Sequence, residues 1–405
     1  MAIFSRKQGA TKAKAPADAN RSDAGSSSGA PEKKTFAQRK PANTAFKQQR
    51  LKAWQPILTP KTVLPTFFLV GIVFAPIGAV LYYFASKVSE LRIDYTDCHN
   101  HAQMADIPPE NYDYQLSGKT TQTWQNPQWE YVANTDSPTG MACNVYFNIP
   151  EQLESTVLFY YRLTNYYQNH RRYVKSIDQN QLIGDVRSPS DLQNNNCKPL
   201  GREGDKGIYP CGLIANSMFN DTFFSPVLLN PAGNGPANQT YAMKETDIIW
   251  PGEKKKYQRT KQAASDLVPP PFWRGNFSKN APYSFPNGYN EDNIFDPSND
   301  EHFMVWMRVA GLPTFRKLYM RNDTAPMPSG RYRVTIYDNY PVAMFNGTKS
   351  FIISTVTWVG GRSLFLGAAY IATAALCVLL GLIFTARHLI RPRKLGDLSL
   401  LSWNE

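Results

Sequence analysis

Two long stretches of this sequence contain no charged residue at all. They are Val63–Ala85 and Leu364–Ala386, and each has 23 residues. At about 1.5 Å per helical residue, either is long enough to cross a hydrocarbon core about 30 Å thick. The missing charge excludes a proton relay, an ion ligand or a voltage sensor inside the spans, because those functions need ionisable groups in the membrane. The sequence therefore predicts two transmembrane helices that form no transport path of their own.

Catalytic and metal-binding motifs are also missing. The chain contains no Gly-rich phosphate loop, no HExxH pair and no GxSxG elbow. Cys98-His-Asn-His101 could indicate zinc, but no second ligand pair follows at zinc spacing. In the acidic loop Asp292–Glu301, Pro297 stands where a calcium loop needs glycine, and the terminal glutamate is misplaced. We expect no catalytic residue, no metal and no cofactor.

Positive charge is concentrated at the two ends of the chain. Residues 1–62 carry 13 Lys and Arg against 3 acidic residues, residues 387–405 carry 4 against 2, and the middle carries 27 of each. Basic residues beside a span stay on the cytosolic side, so both termini are expected in the cytosol and the middle in the lumen or outside the cell. The net charge of +12 therefore reflects topology and attraction to anionic lipid. It does not indicate nucleic-acid binding.

Cysteines and glycosylation signals agree with this topology. Four of the five cysteines lie in the middle segment, and Cys377 lies in the second span. Four cysteines allow three pairings. Cys197–Cys211 is favoured because it closes a short polar, Gly-rich loop, and this leaves Cys98–Cys143. A sixth sequon, at Asn20, falls in the cytosolic tail and should stay unmodified, whereas five fall in the middle: Asn220, Asn238, Asn276, Asn322 and Asn346.

The chain divides into six segments by composition. The segment beside the first span places Phe46, Leu51, Trp54 and Leu58 among Lys and Arg, and a basic amphipathic segment of this kind usually lies on the membrane surface. It is either a simple charged anchor or a protein-docking segment. The predicted segments are a disordered cytosolic tail (1–45), the juxtamembrane amphipathic segment (46–62), transmembrane helix 1 (63–85), a glycosylated ectodomain (86–363), transmembrane helix 2 (364–386) and a cytosolic tail (387–405).

The ectodomain is predicted to be mainly β. Short β-branched or aromatic runs are separated by loops rich in Pro and Gly, which favours an antiparallel β-sandwich with long insertions. In one run Tyr332, Val334 and Ile336 share a face at a spacing of two. The predicted strands are Val157–Leu163, Phe303–Arg308, Arg331–Tyr337 and Phe351–Val356.

Small residues recur along both spans at helical spacing. They are Gly71, Ala75 and Gly78 in the first and Ala368, Ala372 and Ala375 in the second. Small faces let helix backbones approach closely in lipid. These faces can pack against each other or against a larger membrane partner.

Five stretches carry a family resemblance: FKQQRLKAWQPILTP (46–60), FYYRLTNYYQNHRRYVKS (159–176), PCGLIANSMFND (210–221), MRVAGLPTFRKLY (307–319) and GRYRVTIYDNYPVAMFNGTKSFIISTVTWVGG (330–361). They resemble the Cdc-fifty/Lem-three family, the accessory β-subunits of type IV P-type ATPases that flip phospholipids. The resemblance covers most of the chain from residue 46 to about 390, in matching order. One departure is Arg362-Ser363, where members often carry Lys-Asn or a similar polar pair.

The resemblance implies a non-catalytic subunit that forms a heterodimer with an ATPase α-subunit and contacts membrane lipids. It also implies a role in folding, export from the endoplasmic reticulum and activity of that α-subunit, with residence from the endoplasmic reticulum to the Golgi, endosome or plasma membrane. Ectodomain loops Pro210–Asp221 and Gly311–Tyr319 are further docking candidates. The individual partner-binding candidates are Phe46, Arg50, Trp54, Pro56, Gly71, Ala75, Ala368 and Ala372.

Two other functional classes remain. A free-standing cell-surface receptor or adhesion glycoprotein with two spans would reach the surface without an ATPase. A lumenal enzyme is the third class, and the missing catalytic motifs count against it.

Overall fold

A computed structural model describes residues 43–51, 58–118, 125–194, 197–229, 238–275 and 281–392. These residues fall into two separate units, one ending at Thr59 and the other beginning at Pro60. Several predictions lie outside the described residues: the disordered tail up to residue 42, Trp54, Pro56, the sequon at Asn276 and the last 13 residues.

Two long helices bracket an ectodomain of short strands and short helices. The helices are α1 (Pro60–Ser86), α2 (Arg171–Lys175), α3 (Gln179–Leu182), α4 (Pro189–Asn194), α5 (Leu213–Asn216), α6 (Pro251–Lys254), α7 (Glu301–Met307) and α8 (Leu364–Ile390). The strands are β1 (Glu90–Asp94), β2 (Ala105–Asp106), β3 (Tyr112–Gln115), β4 (Gln128–Ala133), β5 (Met141–Ile149), β6 (Val157–Leu163), β7 (Arg202–Glu203), β8 (Lys206–Ile208), β9 (Thr222–Phe223), β10 (Val227–Leu229), β11 (Asn238–Thr240), β12 (Leu267–Val268), β13 (Phe315–Asn322), β14 (Gly330–Tyr337) and β15 (Lys349–Thr355).

Helices α1 and α8 are the two predicted spans. Each has 27 residues and is apolar enough to cross a membrane. Both extend a few residues beyond the uncharged stretches, so their ends can reach past the hydrocarbon core into the headgroup layers.

The ectodomain is a sandwich of two antiparallel sheets. One has five strands in the order β13-β6-β15-β1-β3, and the other follows the order β11-β10-β14-β5-β4-β2, with β9 paired to β14. Aromatic rings from both sheets meet in the core: Phe147 of β5 lies 5.7 Å from Phe351 of β15, and Phe159 of β6 lies 5.2 Å from Phe223 of β9. The predicted mainly-β, antiparallel ectodomain is confirmed. A small third sheet, β12-β8-β7, contains one parallel pair.

Three of the four predicted strands are present, as β6, β14 and β15. Tyr332, Val334 and Ile336 of β14 are all fully buried on one face, as the alternation predicts. All seven residues of β15 are buried, because this strand lies between β6 and β1 and is covered on both faces. β15 leads directly towards α8, so the best-buried strand of the ectodomain adjoins the second span.

The fourth predicted strand, Phe303–Arg308, is wrong, because all of it except Arg308 belongs to helix α7. Asp300 caps the start of this helix by accepting a hydrogen bond from the Phe303 amide at 2.8 Å. All five residues from Phe303 to Met307 are buried, so the run has no polar face that would reveal a helical period. Lys317 of β13 ends the helix by donating to the Val305 and Trp306 carbonyls at 3.0 and 2.7 Å.

Two disulfides cross-link the ectodomain. The structure pairs Cys98 with Cys143 and Cys197 with Cys211, the pairing that the sequence favours. The first joins the segment after β1 to β5, and therefore the two sheets. The second closes a short loop beside the third sheet, and Cys377 in α8 is free.

Candidate partner-binding surface

The two spans contact each other through small residues spaced seven apart. On α1 the buried residues are Gly71, Gly78 and Ala85, and on α8 they are Gly367, Ala374 and Gly381. A seven-residue repeat keeps the same face towards a neighbouring helix when the pair winds with a left-handed supercoil. We call this contact the seam.

The seam brings the helices together at backbone distance. A Cβ built on Gly367 would lie 2.6 Å from the backbone nitrogen of Tyr82, and one built on Gly78 would lie 2.9 Å from the backbone nitrogen of Ile371. Aromatic pairs also cross the seam: Phe74 lies 5.1 Å from Tyr370. Gly71 belongs to this contact, since a Cβ there would meet the Val378 side chain at 2.5 Å. Gly71 was predicted to bind a partner, but it is buried against α8 and is not available for direct contact.

The other small residues lie outside the seam. Ala75 on α1 and Ala368, Ala372 and Ala375 on α8 are all exposed. The three alanines of α8 are spaced i, i+4 and i+7, so they share one face of that helix. Both sets of small residues repeat at helical spacing, so the sequence alone does not separate the seam from this second face.

The juxtamembrane segment forms a turn where the structure describes it. Residues 45–49 turn back on themselves, with the Arg50 amide donating to the Ala45 carbonyl at 2.7 Å. The Phe46 side chain is 76% exposed, and Arg50 is exposed and donates a hydrogen bond to Asn43. Phe46 and Arg50 are thus both available for contact, while residues 52–57 of the predicted amphipathic segment lie outside the described residues.

The stretch Pro210–Asp221 is mostly core, so the expectation that it is a docking loop is wrong for most of its length. Short helix α5 lies at its centre, and two buried tryptophans donate to it. Trp273 donates to the Ala215 carbonyl at 3.0 Å, and Trp306 donates to the Ile214 carbonyl at 2.8 Å. The stretch holds the aromatic core together and offers little surface to a partner.

The stretch Gly311–Tyr319 does present surface at its start. Leu312 is 70% exposed on the loop that precedes β13. The loop is held in place, since Asn169 donates to the Gly311 carbonyl and the Tyr166 amide donates to the Pro313 carbonyl, both at 3.0 Å. An apolar side chain on a fixed loop is suited to protein contact.

A buried ion network that the sequence analysis missed lies between the sheets and the loop after β14. The Lys349 ammonium donates to Asp221 at 2.8 Å, to Asp338 and to the Tyr340 carbonyl at 2.8 Å. Tyr95 also donates to Asp221, at 2.7 Å. Burial lowers the pKa of Lys349, but Asp221 and Asp338 outweigh burial and raise it above 10.5, so the lysine is charged. No local motif identifies the network, because Asp221 is more than a hundred residues from both Lys349 and Tyr95.

The sequons differ in how they are placed. Asn238 and Asn346 are exposed, whereas Asn220 and Asn322 are half-buried. The Asn322 side-chain nitrogen donates to the Ala242 carbonyl at 2.9 Å. Glycosylation at these positions stays a prediction.

The possible zinc ligands between Cys98 and His101 have other partners in the structure. Cys98 is in a disulfide, His99 contacts the Thr96 carbonyl at 3.1 Å and His101 stacks on Trp129 at 5.0 Å. Among the residues that the structure describes, no group of three or more His, Cys, Asp or Glu could hold a metal ion.

Known proteins are similar to this chain over most of its length. Residues 81–394 match the LEM3 (ligand-effect modulator 3) family / CDC50 family. The chain belongs to this family. A Saccharomyces cerevisiae relative named phospholipid-transporting ATPase accessory subunit CRF1 is 42% identical over 369 residues, covering 90% of this chain and 89% of the relative.

Relatives from two other organisms match this chain over a similar number of residues. The phospholipid-transporting ATPase accessory subunit CDC50 of Chaetomium thermophilum is 38% identical over 380 residues, covering 90% of this chain and 91% of the relative. The mouse cell cycle control protein 50A is 39% identical over 363 residues, covering 85% and 88%. The family match itself takes in the whole ectodomain and the second span.

Proposed function

We propose that this protein is the non-catalytic β-subunit of a phospholipid flippase, forming a heterodimer with a type IV P-type ATPase α-subunit. The curated relatives are named as accessory subunits of phospholipid-transporting ATPases, and the chain aligns with them over nearly its full length. ATP hydrolysis and lipid movement belong to the α-subunit. The β-subunit supports its folding, its export from the endoplasmic reticulum and its activity.

One structural observation carries the docking part of this proposal: the second span has two separate small-residue faces. The seam occupies the face of Gly367, Ala374 and Gly381. The face of Ala368, Ala372 and Ala375 is left exposed. Because lipid tails give little drive for helix association, a small exposed face favours close packing with another transmembrane helix.

The proposal places both termini in the cytosol and residues 86–363 in the lumen or outside the cell. The basic residues beside the spans and the sequons in the middle support this orientation. Phe46 and Arg50 would then meet the α-subunit from the cytosolic side, and Leu312 would meet its loops from the other side. Residence extends from the endoplasmic reticulum to the Golgi, endosome or plasma membrane.

The test is export of the α-subunit from the endoplasmic reticulum in cells that co-express it with this chain. With the natural chain, the α-subunit should leave the endoplasmic reticulum. Ala368→Leu together with Ala372→Leu should keep the α-subunit in the endoplasmic reticulum, because the larger side chains prevent close packing of α8 against a helix of the α-subunit.

Thr373→Leu is the matched control. Thr373 is exposed, but it lies one residue further along α8, about 100° round the helix from Ala372. Its substitution should leave export unchanged. Normal export with the double alanine variant would contradict the proposed docking face, and normal export without this chain would contradict the function itself.

A further inference from the structure

A tight turn between β15 and α8 carries an exposed tryptophan. Thr357 and Gly360 close the turn with two backbone hydrogen bonds of 3.0 and 2.8 Å, which leaves Trp358 and Val359 at its tip. Gly360 has a φ of +121°, a conformation that glycine adopts readily. The Trp358 side chain is 74% exposed even though the backbone beneath it is fixed.

The turn packs against the end of the first span that adjoins the ectodomain. The Trp358 ring packs edge-on against Phe84, with 5.2 Å between the centroids. Phe84 is two residues from the end of α1, and the uncharged stretch of that helix ends at Ala85. A helix of 27 residues is about 40 Å long, which exceeds a hydrocarbon core of about 30 Å. Phe84 therefore belongs near the boundary between acyl chains and headgroups.

The start of the second span lies level with this end of α1. A Cβ on Gly367 would lie 2.8 Å from the Cβ of Tyr82, so these two positions are level across the seam. Phe365 and Phe84 lie two residues beyond them towards the ectodomain, and Phe365 is 82% exposed. Tyr83, Phe84, Trp358 and Phe365 thus form an aromatic belt at one depth.

Cations lie at the edge of this belt. The Lys87 ammonium lies 5.5 Å from the centre of the Tyr83 ring, and Arg362 donates to the Val88 carbonyl at 2.8 Å. The Arg362 contact ties the segment after the turn to the residues that leave α1. Aromatic rings are favoured in the membrane interface, and a nearby lysine can reach lipid phosphates.

We propose that the Trp358–Val359 turn inserts into the headgroup layer of the ectodomain-side leaflet and binds phospholipid there. The occupant is lipid because the turn is continuous with the lipid-facing surface of both spans. The turn gives the ectodomain a third attachment to the membrane, next to the strand that leads into α8. This inference does not depend on the proposed ATPase partner.

Spin-label depth measurement on the full-length chain in phosphatidylcholine vesicles tests the proposal. A nitroxide is placed on Val359→Cys, with Trp358 kept and Cys377→Ala removing the free thiol. The control label is placed on Met344→Cys, an exposed residue beyond the other end of β15. The label at 359 should collide with dissolved oxygen more than with a water-soluble nickel chelate, and the label at 344 should show the reverse.

A further substitution shows whether the tryptophan itself is responsible. Trp358→Ser should move the label at 359 towards water, and Trp358→Tyr should keep it at the original depth. Equal nickel access at 359 and 344 would overturn the proposal. Shielding at 359 from both reagents, in vesicles or in a co-purified ATPase complex, would mean that protein covers the turn and would also overturn it.

A second measurement covers the case in which the labelled variants do not fold. Brominated phosphatidylcholine quenches tryptophan fluorescence on contact, and the chain has 8 tryptophans. Trp358→Phe should remove a part of the fluorescence that the brominated lipid quenches. An unchanged quenched fraction would contradict lipid contact.

Discussion

At the scale of single residues, the Lys349 network shows how a charged group is held inside an apolar sandwich. The ammonium group has carboxylate partners in Asp221 and Asp338, and Asp221 also accepts hydrogen bonds from the Asn339 and Tyr340 amides at 2.6 Å. An ion pair out of water is tolerated only when its remaining hydrogen-bonding groups are satisfied. The network joins β15 to the loop after β14 and to the segment before β9.

Lys349→Met should therefore be strongly destabilising. Removing one partner leaves buried carboxylates without compensation, at a cost of about 3–5 kcal/mol in the free energy of unfolding. Chemical denaturation of the full-length chain in mild detergent measures it. Lys255→Met, at an exposed lysine, is the control and should change little. A loss for Lys349→Met no larger than that of the control would contradict the assignment.

Buried tyrosines predict an alkaline limit to stability. Burial raises the pKa of Tyr95, Tyr161, Tyr283 and Tyr340 well above the ordinary value of 10.0. Above about pH 10 the unfolded chain loses these protons while the folded chain keeps them, so stability must fall as pH rises. Near-ultraviolet absorbance of tyrosinate should show a fraction of the phenols that ionises only on unfolding. Ionisation of all 22 tyrosines in one step at the ordinary pKa would contradict this.

At the scale of secondary-structure elements, the sequence predicted an element correctly where only one of its faces is buried or where the whole element is suited to lipid. The alternation in β14 and the uncharged runs of α1 and α8 predicted those elements. The run Phe303–Met307 was wrongly predicted as a strand. A helix buried on all sides and a buried strand both have continuous apolar sequences. The burial of α5 in Pro210–Asp221 could not be predicted either, since it depends on Trp273 and Trp306, which are far away in sequence.

Substitutions at two neighbouring residues of α8 should distinguish its packing against α1 from its proposed packing against the ATPase. Gly367→Ala adds a methyl group against the Tyr82 backbone, which cannot rotate away, so it should lower the melting temperature of the chain alone in detergent. Ala368→Leu should leave that melting temperature unchanged and weaken only association with the ATPase. Equal effects of the two substitutions on the isolated chain would contradict the distinction between the seam and the outer face.

At the scale of the whole molecule, two long apolar helices bracket a disulfide-linked, mainly β ectodomain. The seam uses one small-residue face of α8 and leaves the second free. These features suit a subunit that binds and positions a larger membrane protein.

Purification of the full-length chain in mild detergent, with quantitative mass spectrometry of the proteins that accompany it, tests this account most directly. The account predicts a type IV P-type ATPase in a near one-to-one amount. It also predicts loss of that ATPase with Ala368→Leu and Ala372→Leu, and no ATP hydrolysis by the chain alone. A homogeneous chain at the cell surface with no ATPase bound would contradict it and favour a free-standing receptor or adhesion protein.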